Sequence, residues 1–84
     1  MKKVDFRQIE VENIEGQIEK TNLSKNLGNE IYMQARDIDT REFGRNIFKN
    51  GQVEISDEQE LLIRRIIIGW PLVFREGIEK TLNE

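Results

Sequence analysis

The chain has 84 residues, 37% of them hydrophobic and 35% charged, with a net charge of −3. That length suits one domain with a modest core and a thin stability margin. The near balance of charge argues against a molecule steered as a whole to nucleic acid or membrane. With no histidine and no cysteine, the usual general base, disulfides, thiol chemistry and the usual transition-metal ligands are excluded.

Residues 4 to 22 read as strand. Val4 and Phe6 alternate, then Ile9 and Val11 alternate in the opposite phase, and the shift at Arg7-Gln8 marks a bulge or the end of an arm. Asn13-Ile14-Glu15-Gly16 is a turn signal, with Gly16 able to take positive φ. A four-residue loop sets Ile18 across from Val11. One face of the hairpin then carries Ile9, Val11 and Ile18 and the other Glu10, Glu12 and Glu19. Ile14 at the tip has no assigned place. Since two strands are not stable alone, the apolar face is expected to lie on helices.

Ser24, after Leu23, suits a helix cap. The helix to about Arg36 puts Leu27, Ile31 and Ala35 on one side, flanked by Gly28 and Tyr32. Gly28 weakens it in isolation. Asp39 with Glu42 forms an approximate capping box, and Ile38 with Phe43 stands at staple positions. A short helix from Thr40 to Lys49 then buries Phe43 and Ile47, with Phe48 a further candidate for burial, and ends at Asn50-Gly51. Gln52 to Ile55 alternates as a short strand that can extend the hairpin to three strands.

The stretch from Ser56 to Leu82 holds the densest apolar run, the only Trp and the only Pro. Ser56 and Gln59 have capping-box spacing, and Asp57 and Glu58 suit the positive end of the helix dipole. Leu62, Ile63, Ile66 and Ile67 share one face, and Glu60 and Arg64 can pair on the solvent side. Leu61 and Ile68, seven apart, form a second stripe beside Arg64 and Arg65. Either the chain covers this helix from two sides, or the second stripe is a contact surface for a partner or another copy. Gly69 can end the helix in a left-handed conformation. Trp70 is pushed toward extended backbone by Pro71, and Pro71 suits the first position of the next helix. That helix presents Phe74, Ile78 and Leu82, with Gly77 leaving room for another backbone. Trp70 at the corner is a core anchor or a partly exposed binding anchor.

Little in the chain points to catalysis. Ser24 and Ser56 have capping roles, and no nucleophile–base pair stands out. Asp37, Asp39 and Glu42 give an acidic D-x-D-x-x-E, but it lacks the further oxygens and the glycine of a calcium loop, and helix-start capping explains it. There is no phosphate-binding glycine loop or dinucleotide fingerprint. No cofactor, metal or small-molecule substrate is expected, nor an enzyme. No apolar run approaches the roughly 18 residues of a membrane span, and MKKVDFRQIEVE lacks the apolar segment of a secretory signal, so a cytoplasmic protein without membrane contact is expected. Arg41, Arg45 and Lys49 recur every four residues and could track phosphates. Glu42 lies beside them and no aromatic is interleaved on that face, so a solvated helix face competes with this reading.

The order VDFRQIEVENIEG, then LSKNLGNEIY, then GQVEISDEQELLIRRI resembles small uncharacterised proteins of bacterial prophages and mobile elements. The likeness spans most of the chain and rests on order without a diagnostic motif. It implies a virion-assembly or tail-associated accessory role through protein contacts, and it assigns no residue a function.

The expected fold is a single α+β domain over residues 1–84. An amino-terminal β-hairpin (1–23), with or without a third short strand, packs on three or four short helices. Residues 24–55 supply two helices and the short strand, and the helical corner of 56–84 supplies most of the core. The expected role is a protein-interaction or assembly module, with Leu61, Ile68 and Trp70 as the contact surface to a protein partner or a second copy. The alternative is a nucleic-acid-binding accessory or regulator using Arg41, Arg45 and Lys49.

Overall fold

A computed structural model describes residues 1–84 as four short strands and four helices. The strands are β1 (Lys2–Asp5), β2 (Ile9–Glu12), β3 (Ile18–Thr21) and β4 (Gln52–Ile55), and the helices are α1 (Ser24–Gln34), α2 (Ile38–Asn50), α3 (Asp57–Ile66) and α4 (Leu72–Asn83). The α+β class with strands at the amino terminus is the one expected. The strands make two separate antiparallel pairs, β1 with β4 and β2 with β3. The short strand after Gly51 therefore does not extend the hairpin. It pairs with the first strand, Val4 opposite Val53, so β1 lies outside the hairpin.

Phe6 joins these parts. Its side chain is fully buried, its N–H donates to the Gly51 carbonyl at 2.8 Å, and its carbonyl accepts from Leu23 N–H at 2.8 Å. The phase shift seen at Arg7-Gln8 is the turn by which the chain leaves one sheet and enters the other. Fifteen buried apolar residues then form one core, with contributions from β1, β2, β4 and all four helices and none from β3.

The hairpin register differs from the expected one. Asn13 N–H donates to the Gln17 carbonyl at 2.9 Å, Gly16 N–H returns to the Asn13 carbonyl at 3.0 Å, and Gly16 has φ +82°. The side-chain oxygen of Asn13 also accepts from the N–H groups of Glu15 and Gln17. This is a three-residue loop with a left-handed glycine. It sets Ile18 opposite Glu12 and Val11 opposite Glu19. A one-residue slip moves a side chain to the other face, so Ile18 is 56% exposed. Ile14 projects fully into solvent at the tip.

Ser24 does not cap α1. It is the first helical residue, with Leu23 at the cap position, and its own N–H and hydroxyl donate to Asn22 Oδ1. The cap of α2 is Asp37, which accepts from Thr40 N–H at 2.7 Å. Asp39 and Ile38 lie inside the helix and Ile38 is exposed, so neither the expected box nor the staple forms. Gly51, at φ +75°, ends α2 as expected. The two helices cross where both lack side chains: a Cβ on Gly28 would lie 2.7 Å from the Gly44 carbonyl oxygen and 2.6 Å from Phe48 N.

Ser56 and Gln59 form the full capping box of α3. Gly69 is not left-handed. The helix instead tightens into a 3₁₀ turn over Ile67–Gly69, and Trp70 is extended. Pro71 stands one place outside α4, as its cap residue. On α4, Ile78 and Leu82 are buried and Phe74 is half-buried. Gly77 lies against β2, where an added Cβ would sit 2.5 Å from the Glu10 carbonyl oxygen.

Candidate functional site

The helical corner is the first candidate. The capping box fixes the start of α3 and so its rotation. Ile63 and Ile67 then face the core, fully buried, while Leu62 and Ile66 pack at its margin. Leu61 and Ile68 fall on the outer side and are 62% and 65% exposed. The chain does not cover this helix from both sides. Leu72 and Val73, just past the corner, add two more exposed apolar side chains. They were missed in sequence, although their place off the Phe74–Ile78–Leu82 stripe is a signal for it. Arg75 ties the corner by donating to the Ile68 carbonyl at 3.1 Å. Trp70 is half-buried and lines a separate groove of about 490 Å³ with Leu23 and Phe74, to which neither Leu61 nor Ile68 contributes. The three residues named from sequence are thus divided, with Leu61 and Ile68 on the outer side and Trp70 lodged beside the core.

The inner rim of the corner is held by charge. Glu60 accepts from Lys2 at 2.8 Å and from Arg64 at 3.3 Å. Arg64 also donates to Asn83 Oδ1 at 2.7 Å, and Lys2 donates to the Leu82 carbonyl. The Lys2 and Arg64 partners hold the Glu60 carboxyl below its ordinary pKa. Glu10 is lowered likewise by Lys80, which donates to it at 2.7 Å. Asp5 is lowered by its hydrogen bonds from Arg7, and Asp37 by the backbone N–H of Thr40. Each of these shifts has a structural contact as its cause.

The basic stripe is the second candidate. Arg41, Arg45 and Lys49 are all exposed on α2. Glu42 lies 3.8 Å from Arg41 and 3.5 Å from Arg45, while no carboxylate lies within ion-pair distance of Lys49. Aromatic rings do stand beside this stripe. The Arg45 guanidinium sits 5.6 Å from the centre of the Tyr32 ring, which comes from α1. Lys25, also from α1, sits 5.7 Å from the Phe48 ring. Between the helices a groove of about 280 Å³ is lined by Gly28, Asn29, Tyr32, Gly44, Arg45, Phe48 and Lys49. The pattern along α2 alone could not show it, because one wall belongs to the other helix.

Of the acidic trio, Asp37 is the cap of α2, and Glu42 belongs to the basic stripe. No group of three or more Asp or Glu side chains is placed to hold a metal ion. No helix is long and apolar enough to cross a membrane. Comparison with protein families, curated proteins and solved structures finds no match for this chain.

Proposed function

We propose that the chain is a non-catalytic interaction or assembly module acting in the cytoplasm, which binds a protein through the outer side of the helical corner. One observation carries this reading. The inner side of α3 and of the 3₁₀ turn after it is core, yet Leu61 on the helix and Ile68 in the turn are more than half exposed, with Leu72 and Val73 close by in sequence. Exposed apolar side chains gathered on one stretch are the material of which contact sites are made. The order of sequence segments, which resembles that of small uncharacterised prophage proteins, implies an accessory role of the same kind. The test is solution mass by light scattering over a concentration series, for the parent chain and for Leu61→Glu with Ile68→Glu. Association that survives unchanged in the double variant defeats the proposal. If the parent is monomeric throughout, the same pair is compared for capture of a partner from the native host.

A second reading is favoured by the rings of Tyr32 and Phe48 beside the basic stripe. On it the chain is a nucleic-acid-binding accessory whose Arg41, Arg45 and Lys49 meet phosphates. Weaker DNA retardation in low salt by Arg41→Glu is the expected result.

A further inference from the structure

We infer that the groove between α1 and α2 is a site for single-stranded nucleic acid, in which bases stack on Tyr32 and Phe48 while Lys25, Arg45 and Lys49 meet the phosphates. This inference rests on the second reading above and deepens it by naming the strand form and the residues.

The aromatic side chains supply the first argument. Phe6 and Phe43 are buried, and Trp70 and Phe74 pack against the core. Tyr32 and Phe48 are the two most exposed, at 39% and 43%, and both line this one groove. Gly28 and Gly44 let the two helix backbones meet beneath this groove. Exposed rings spaced along a cationic groove bind single strands because every base offers a π-face, and stacking needs no particular sequence.

Charge supplies the second. Lys25 and Arg45 each stand within cation–π distance of a ring, and Lys25 and Lys49 have no carboxylate within ion-pair distance. Each ring therefore has a cation from the other helix beside it. A single strand offers a base for each ring and a phosphate for each cation. An acidic peptide would meet the cations and leave the rings unused. A duplex would do the same, since its base faces are already stacked.

The net charge of −3 supplies no long-range steering, so binding here is short-range and salt-sensitive. Three phosphate contacts on a single strand give a salt slope of about −2, or roughly a 20-fold loss between about 50 and 200 mM salt.

The experiment is fluorescence anisotropy of the full chain with a labelled twelve-residue oligo(dT), the matching duplex, and oligoglutamate as competitor. Saturable binding of the single strand is expected in low salt, with the duplex weaker and oligoglutamate a poor competitor. Tyr32→Ala and Phe48→Ala are each expected to weaken binding by about 5- to 150-fold, the range for loss of one base stack. Lys49→Gln is expected to reduce the salt slope by about 0.7. Amide shifts in the unmodified chain guard against a variant that misfolds, and they are expected to cluster at Lys25–Tyr32 and Gly44–Lys49. No binding by any nucleic acid overturns both this inference and the reading beneath it. Equal binding of duplex and single strand, indifferent to the two rings, overturns the inference alone and leaves the phosphate stripe. Effective competition by oligoglutamate, or shifts centred on Leu61 and Ile68, also overturns it.

Discussion

Gly28 shows how a single residue can be judged in opposite ways by a helix and by a fold. An alanine there gains up to about 1 kcal/mol of helix propensity. The same methyl would lie 2.6 Å from Phe48 N and 2.7 Å from the Gly44 carbonyl oxygen. Both obstacles are backbone atoms of α2 and cannot rotate away. Overpacking of this kind costs roughly 1–3 kcal/mol, so Gly28→Ala is expected to be net destabilising by urea denaturation. Gly69→Ala is the control. A Cβ there meets nothing within 4 Å and φ is not positive, so the change is expected to be neutral or stabilising by up to about 1 kcal/mol. A gain in both variants would mean that α1 and α2 do not cross at the glycines. Titration behaviour is also set residue by residue. Glu10, Glu60, Asp5 and Asp37 all have folded pKa values below their ordinary ones. The folded state therefore binds fewer protons than the unfolded chain in that range. The stabilisation is complete above the ordinary Glu value of 4.5 and is lost as pH falls through the lower folded values. A urea midpoint that is level near neutral pH and falls below about 4.5 is the expected profile. Its acid limb should be shallower in Glu10→Gln and in about 1 M salt, because these pairs are exposed and screened.

At the scale of elements, the β2–β3 hairpin separates two registers by one side chain. The turn Asn13–Gln17 spends a residue on a left-handed glycine, and that residue reverses the face of Ile18. Ile18→Lys is therefore expected to change stability by no more than about 0.5 kcal/mol, as at an ordinary surface position. Val11→Ala, on the buried face, is expected to cost more. Comparable losses in the two variants would restore the register with Ile18 on the core side. The same contrast explains which elements were legible in the sequence. The capping box of Ser56 and Gln59, the helix end at Gly51 and the buried stripe of Ile63 and Ile67 depend on contacts a few residues apart, and spacing alone reveals them. The partner of β4 and the close approach at Gly28 depend on pairings far apart in the chain. Ser24 misleads because a neighbour, Asn22, takes the polar contact. Gly69 misleads because the helix can also end by tightening into a 3₁₀ turn. Of the candidate sites, the second stripe of Leu61 and Ile68 was legible as a pattern within one stretch, but its exposure was not, because exposure depends on what packs against it. The ring-and-cation groove was not, because Tyr32 meets Arg45 only after two helices have packed.

For the whole molecule the limiting quantity is core size. Only 20 of 84 residues are buried, and the molecule is elongated at 41 × 24 × 21 Å, which keeps the core thin. At roughly 0.05–0.15 kcal/mol per residue, total stability is about 4–13 kcal/mol. Ile63→Ala removes a fully buried side chain, and such truncations cost about 2–5 kcal/mol. That single change thus takes a large share of the total, and at the bottom of the range the larger losses unfold the chain. Leu61 and Ile68 stand on the same helical segment, two and five residues away. If they are kept for contact with a partner, replacing both by Glu should leave the thermal midpoint near that of the parent, since neither side chain is needed to close the core. The two experiments belong together because the core has no slack to hide an error. A loss in the double variant as large as that of Ile63→Ala would mean that the outer stripe is packed by the protein itself, and the proposed contact surface would have to be sought elsewhere. Retained stability with lost association would separate folding from binding within one helix.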